Sequence, residues 1–255
     1  MRLRIRSLDH SCGAIGEAGD QERRIGGLTA VHLWLQRGQV LRRVLLVGGA
    51  AAGPLFVGVA VAQGAVRTDY DARRHPVSSL ALGPHGRVQG ANFLVTGGLY
   101  CGLAFALARI PVSVGLTRTG RVLLGIAAVG LVGAGLFPTD PISGYPLGTA
   151  DTPAERTRAG ALHDAVSVPT FLAIPAAALI QARAASIAGQ RGWAVASAGS
   201  GLLMLVSFAV ATVGFSQHPA LVDRAGSLQR LSVTAGFGWL TGVALRALRA
   251  DTPSR

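Results

Sequence analysis

Three short polar stretches interrupt an otherwise apolar chain, and their residue types could support proton transfer or metal binding. The stretch DYDARRHPVSSLALGPHG contains His75 and Ser78, and the stretch GLFPTD ends at Asp140. The stretch ALHDA contains His163 and Asp164. An imidazole beside a carboxylate or hydroxyl can act in acid–base catalysis, and imidazole with carboxylate can bind zinc. These five residues are the candidate catalytic residues, and His75, Asp140 and His163 are the candidate metal ligands.

Asp140 and Ser78 also have simpler structural interpretations. Asp140 lies between two prolines, which favours a turn or a helix cap. Ser78 and Ser79 could cap a short helix that begins near Leu80. The sequence alone leaves the chemical and the structural interpretations open for both residues.

His163 and Asp164 have structural alternatives as well. They lie about one turn inside a predicted apolar helix, where a charged group must point at a partner or at water. His163 could form a hydrogen bond to a neighbouring helix. Asp164 could form an ion pair with one of three arginines, which are Arg74, Arg156 and Arg158.

The composition indicates an integral membrane protein. Only 14% of the 255 residues are charged, whereas a soluble domain carries about 25%. All 24 basic residues are arginine, which we interpret as the codon bias of a GC-rich bacterial genome. The net charge of +12 could suggest nucleic acid as a partner. We expect no such partner, because membrane topology explains the positions of the arginines.

Six apolar segments predict six transmembrane helices. Each is close to the roughly 20 residues that cross the hydrocarbon core of a bilayer, and a chain that crosses lipid alone must be helical. The segments are residues 44–66, 88–108, 122–138, 161–180, 192–215 and 231–245. We therefore expect an all-α, polytopic bundle in a bacterial plasma membrane, with the lipid bilayer as its first partner.

The arginines also predict the orientation of the bundle. With the amino terminus inside, the cytoplasmic segments hold 16 arginines and the outer connections hold 8. Because positive residues favour the cytoplasmic side, we expect both termini there. The three polar stretches then share the outer membrane face.

The chain divides into three parts by composition. Residues 1–43 hold eight arginines and no sustained apolar face, so we expect a largely disordered cytoplasmic arm with a short helix near residues 28–41. Residues 44–248 form the predicted transmembrane domain, and residues 249–255 form a short tail. Cys101 lies within an apolar segment, and we expect it to be a small core residue.

Small residues spaced four apart are expected to let helices approach closely in a membrane. Such pairs occur at Gly98 and Gly102, Gly130 and Ala134, and Ser197 and Gly201.

Taken together, the polar stretches resemble a known family. YDARRHPVSSLALGPHGRVQGANFLVTG is similar to the first outer connection and second helix of the bacterial and archaeal membrane family called domain of unknown function 998. GLFPTD and GALHDAVSVPTF are similar to the next two motifs of that family. The matching positions are Tyr70, Asp71, His75, Ser78, Leu82, Gly83, Asn92, Phe93, Phe137, Pro138, Thr139, Asp140, His163 and Asp164.

The resemblance covers roughly residues 44–248 and implies a six-helix membrane protein. It implies no established activity. The connection at residues 139–160 departs from the family pattern, because it is longer.

The first function that we consider is a structural, interaction or accessory role, with another membrane protein as a possible partner. The polar residues would then lock the first outer connection onto the helix ends. In this interpretation the connection folds back into the outer mouth of the bundle, where His75 and Ser78 form hydrogen bonds to Asp140 and His163.

Two other functions remain open. One is a metal-dependent hydrolase that acts on a lipid or headgroup at the outer leaflet, with zinc on His75, Asp140 and His163 activating a water molecule. The other is a component of a proton-coupled transporter, with His163 and Asp164 relaying protons. Zinc is a cofactor only in the hydrolase interpretation, and no cofactor is favoured. The sequence leaves open whether the chain is an enzyme.

Overall fold

The computed structural model describes the backbone of residues 10–251 and the side chains of residues 37–251. Six α-helices dominate it. They are α1 His10–Ala65, α2 Gly86–Leu107, α3 Arg118–Leu136, α4 Arg158–Ile187, α5 Arg191–Phe215 and α6 Ala225–Ala250. Two short 3₁₀ helices, Val77–Ala81 and Val222–Arg224, lie between α1 and α2 and between α5 and α6.

The prediction of six membrane-spanning helices is confirmed. Six helical stretches of 19 to 30 residues are long and apolar enough to cross a bilayer. They are Arg37–Ala65, Gly86–Leu107, Arg118–Leu136, Arg158–Ile187, Arg191–Phe215 and Val222–Ala250. The fold is therefore that of an all-α, multi-pass membrane protein.

The amino-terminal part of the chain separates from the rest as its own unit, residues 1–43. Helix α1 begins within it, at His10. Residues 1–9, the tail after Asp251 and all side chains before Arg37 lie outside what the structure describes. The prediction of a largely disordered arm therefore stays a prediction.

The helices of the second unit pack in a ring in chain order. Each of α2 to α5 packs against the helix that follows it. Helix α6 returns to α1, where the hydroxyl of Thr241 donates to the carbonyl of Ala50 over 3.0 Å. Aromatic rings fill the same contact, because Phe56 of α1 lies 5.2 Å from Phe237 of α6 and 5.3 Å from Phe93 of α2. Aromatic packing and the hydrogen bond of Thr241 therefore contribute to the closure of the ring.

One of the expected small-residue contacts lies one position away from its prediction. Gly98 of α2 is exposed, and a Cβ there would meet nothing. Its neighbour Gly97 is buried, and a Cβ there would lie 2.8 Å from the carbonyl oxygen of Ala128 on α3. Gly130 is confirmed as a close contact, since its Cβ would lie 2.6 Å from the carbonyl oxygen of Val166. The prediction for Cys101 is wrong, because its side chain is exposed on α2.

Replacing Gly97 by alanine should destabilise the protein, whereas replacing Gly98 should not. The new methyl group at Gly97 would force α2 away from α3, at a cost of about 1–3 kcal/mol. At Gly98 the methyl group has space, and alanine favours a helix by up to about 1 kcal/mol. Thermal denaturation of both variants in the same detergent compares them directly. Equal loss of stability in both would contradict the observed α2–α3 packing.

Candidate functional site

Three connections meet at one end of the ring, and we call them together the platform. They are residues 66–85, 137–157 and 216–224. The platform contains the first two polar stretches, and the third lies just below it in α4. Its sequence is rich in Pro, Gly and polar residues, which favour turns over continued helix.

Arg74 joins all three connections. Its guanidinium forms ion pairs with Asp151 at 2.8 Å and with Asp223 at 2.7 Å. Its Nε donates to the carbonyl of Ser143 over 3.1 Å. Both aspartates are well exposed, so each pair contributes at most about 1 kcal/mol. The main effect of Arg74 is to fix the positions of the three connections relative to one another.

Ser143 is a second junction. Its carbonyl accepts from Arg74 and from His75, and its hydroxyl accepts from the side-chain amide of Gln217 over 3.0 Å. Ser143 has a φ of 58° and Gln217 a φ of 63°. Residues other than glycine rarely adopt this left-handed region, and such strain persists only where surrounding contacts impose it.

Arg230 connects the platform to α6. Its guanidinium donates to the carbonyls of Ala72, His75 and Gly226, at distances from 2.6 to 3.1 Å. It also donates to the hydroxyl of Tyr70, which in turn donates to the carbonyl of Pro76 over 2.9 Å. Burial raises the pKa of Tyr70, although the positive charge of Arg230 opposes the shift. Tyr70 therefore remains a neutral hydrogen-bond donor.

His75 is buried inside the platform, and its hydrogen bonds fix its tautomer. Its Nδ1 accepts from the backbone N–H of Asp71 over 2.9 Å, so Nδ1 carries no proton. Its Nε2–H then donates to the carbonyl of Ser143 over 3.2 Å. The ring centroid lies 5.4 Å from that of Tyr70 and 5.2 Å from that of Tyr145. Burial lowers the pKa of His75 and favours this neutral form.

The predicted hydrogen bonds from His75 to Asp140 and His163 are therefore wrong. A turn within its own connection and the backbone of Ser143 use both nitrogens of His75. The fold does bring this connection onto the helix bundle, because Gln229 of α6 accepts from the backbone N–H of Val77 over 2.8 Å.

Ser78 and Ser79 lie inside the 3₁₀ helix Val77–Ala81 and do not cap a helix that begins at Leu80. Ser79 is fully buried, and its hydroxyl has no partner among residues 37–251. Ser78 is half-buried and lines an internal cavity.

Asp140 stabilises the start of α4. Its carboxylate accepts from the backbone N–H of Thr157 at 3.1 Å and from the Thr157 hydroxyl at 2.6 Å. That hydroxyl accepts in turn from the N–H of Gly160 over 2.9 Å. A Cβ at Gly160 would lie 2.2 Å from Oδ2 of Asp140, so a larger residue there would displace the carboxylate. A carboxylate at this position also interacts favourably with the helix dipole.

His163 and Asp164 are adjacent in sequence but have different environments. His163 is 3% exposed, and its Nδ1–H donates over 2.8 Å to the carbonyl of Phe137, the residue that follows α3. Asp164 is exposed and pairs with Arg156, one of the three predicted partners. The hydrogen bond of His163 to a neighbouring helix end agrees with its structural interpretation.

A cavity of about 910 Å³ lies within the ring, beneath the platform. All six helices contribute to its walls, which are mainly apolar and include Phe56, Phe93 and Phe237. The polar side chains along it include Ser78, His163 and Gln229. The cavity thus brings together three of the five candidate residues, which are Ser78, His163 and, at its exposed rim beside Arg156, Asp164.

The candidate metal ligands do not form a metal site in this arrangement. Within the described side chains, no group of three His, Cys, Asp or Glu residues is placed to hold a metal ion. The imidazole of His75 and the carboxylate of Asp140 are each used in bonds to other platform groups. The residues that are present therefore do not fit a zinc ion held by His75, Asp140 and His163.

Sequence reasoning missed three important residues, which are Ser143, Gln229 and Arg230. Arg230 lies just before the predicted span 231–245, but α6 begins five residues earlier, at Ala225. An arginine and a glutamine side by side in an apolar helix are a usable signal, because both need polar partners. Ser143 carries no comparable signal, since its backbone groups make most of its hydrogen bonds.

Comparison with known proteins identifies a family. The model of a family described as "Protein of unknown function (DUF998)" matches residues 50–246. This confirms the resemblance that the three motifs indicate. No curated protein and no solved structure matches the chain.

The protein should become less stable as the pH drops below about 6.5, in part because His75 is buried in the platform. Because burial lowers the pKa of folded His75, the unfolded chain binds a proton at higher pH than the folded chain. The stabilisation is full above the unfolded pKa of about 6.5 and is lost as pH falls towards the lowered folded value. A His75→Gln variant should be less stable at pH 8, by about 1–3 kcal/mol. The difference from the parent should shrink at pH 5.

Thermal melting in detergent between pH 8 and pH 5 measures this difference. His85→Gln is the matched control, because His85 lies in the same connection and is exposed. The explanation fails if the gap between the His75 variant and the parent stays constant over this range.

Proposed function

The chain belongs to the DUF998 family, and we propose that it is a multi-pass protein of the bacterial cell membrane with a structural, accessory role at the outer face. The platform would be a rigid surface for a membrane protein partner. The observation that carries this proposal is the set of partners that the polar side chains of the platform bind. They join one connection to another and to α4 and α6.

Rigidity follows from the partners of these side chains. His75, Arg74 and Arg230 donate to backbone carbonyls, and Asp140 accepts from a backbone N–H. Backbone groups cannot rotate away as side chains can, so these bonds fix the path of each connection. Such use of polar groups supports a structural role for His75 and Asp140 rather than a catalytic one.

The proposed orientation has both termini in the cytoplasm and the platform outside. It is supported by the excess of arginine in the segments at the opposite end. Several platform arginines also have structural tasks, since Arg67 donates to the carbonyl of Leu82 and to the hydroxyl of Tyr145. Because the fold requires these arginines, their presence in the platform does not argue against an outer location.

The two alternative functions receive less support. A hydrolase based on zinc lacks a suitable ligand set within residues 37–251. A proton relay through His163 and Asp164 lacks a path, because Asp164 is exposed and paired with Arg156 while His163 donates to Phe137.

Cysteine labelling should place the platform outside the cell. We would introduce Ala154→Cys in the platform and Ser113→Cys at the opposite end, in a background with Cys12 and Cys101 replaced by serine. Both new positions are exposed and lie outside helices. In intact cells, a maleimide that cannot cross membranes should label only the cysteine at 154. Labelling only at 113 would reverse the orientation.

A photo-reactive amino acid at Leu147 should cross-link the platform to a partner. Leu147 is 84% exposed, the highest value among the large apolar side chains described. We expect one discrete cross-linked product from Leu147 in intact cells and none of that mass from Ser113. The product should weaken when Arg230→Gln loosens the platform in a variant that still inserts. Absence of any product from Leu147, or a product unchanged by Arg230→Gln, would contradict the accessory role.

A further inference from the structure

The cavity beneath the platform has the size of a ligand site. Its volume of about 910 Å³ is near the upper end of the range of about 300–1,000 Å³ for small-molecule pockets. Its walls come from every helix of the ring, so an occupant would contact the whole bundle. Aromatic and aliphatic side chains dominate these walls, which suits an apolar chain.

The cavity is reachable from the polar side of the bundle. Arg156 and Asp164 are among its lining residues, and their side chains are 61% and 53% exposed. The rim therefore carries one positive and one negative group in contact with solvent. A molecule with an apolar chain and a polar head would match the interior and the rim together.

His163 presents an unpaired hydrogen-bond acceptor at this site. The carbonyl of Phe137 can only accept, so Nδ1 of His163 must carry the ring proton. Of the two ring nitrogens, Nε2 is then the one left to accept. In the described part of the chain Nε2 has no hydrogen-bond partner, although the side chain is 97% buried and lines the cavity.

Gln229 presents the complementary donor. The backbone N–H of Val77 can only donate, so the Gln229 atom that it meets is the oxygen. The amide nitrogen of this buried side chain has no acceptor among residues 37–251, and the residue also lines the cavity. An amide donor and an imidazole acceptor thus face the same apolar space.

We propose that this cavity binds one membrane lipid through a single acyl chain and a polar group with both a donor and an acceptor. The chain occupies the aromatic-lined interior. A hydroxyl of the polar group donates to Nε2 of His163, and an ester carbonyl accepts from Gln229. The bilayer around the helices supplies such molecules. This site requires neither the orientation nor the partner proposed above.

The test uses two probes that share the oleoyl chain and the ester but differ in the free hydroxyls of the head group. Monooleoylglycerol has an oleoyl chain, an ester carbonyl and free hydroxyls, whereas methyl oleate has the same chain and ester but no donor. Native mass spectrometry of the full chain in detergent counts bound molecules, and thermal melting gives a second readout. We expect one monooleoylglycerol per chain, and methyl oleate should bind about threefold to tenfold more weakly.

Two variants remove the groups that face the cavity while keeping their bonds to the backbone. In His163→Asn the side-chain amide can still donate to the carbonyl of Phe137, but Nε2 is gone. In Gln229→Glu an oxygen still accepts from Val77, but the donor is gone. Each should reduce the preference for monooleoylglycerol over methyl oleate, and His218→Asn, at an exposed platform position, should not.

A third variant, Ser167→Phe, fills the cavity and should abolish binding of both probes. Ser167 is half-buried, lines the cavity and makes no side-chain hydrogen bond within the described residues. If a polar variant fails to fold, Ser167→Phe and the two probes still decide the question. Equal binding of both probes by the parent, or lipid binding unaffected by Ser167→Phe, would overturn the proposal.

Discussion

The contact between Arg230 and the first platform connection is the interaction on which the rest of this structure depends. A guanidinium near the end of a transmembrane helix is costly unless its donors are satisfied. Here it bonds three carbonyls and the Tyr70 hydroxyl. The same contact holds residues 70–76 in the shape that buries His75. One charged side chain therefore brings the last helix, the first connection and the aromatic contacts of the platform together.

Arg230 and Gln229 act at the same place in different ways. Arg230 holds the segment before the 3₁₀ helix, and Gln229 holds its first residue, Val77. The roof of the cavity, which includes Pro76, Val77 and Ser78, is thus fixed by two adjacent residues of α6. A rigid roof keeps the cavity shape constant, which reduces the entropy lost when a ligand binds.

The helices could be predicted from the sequence because hydropathy and length alone define membrane spans. The platform contacts could not, because many of them join a side chain to a backbone group, and backbone groups look alike in every sequence. His75 illustrates this limit: its burial was foreseen, but its partner is the carbonyl of Ser143. Gly97 and Gly98 illustrate a second limit, because the spacing of small residues does not say which of two adjacent glycines faces the next helix. The cavity could not be predicted from the sequence, because it arises where the side chains leave space within the ring.

The ring order has a consequence for biosynthesis. Helices α2 to α5 can each pack against the preceding helix as they leave the ribosome, but the seam between α1 and α6 forms only when synthesis is nearly complete. Until then, the carbonyl of Ala50 at the open seam lacks the hydroxyl of Thr241 that binds it in the complete fold. A chaperone or quality-control protease that recognises polar groups within the bilayer would therefore distinguish a chain with its sixth helix in place from one without it.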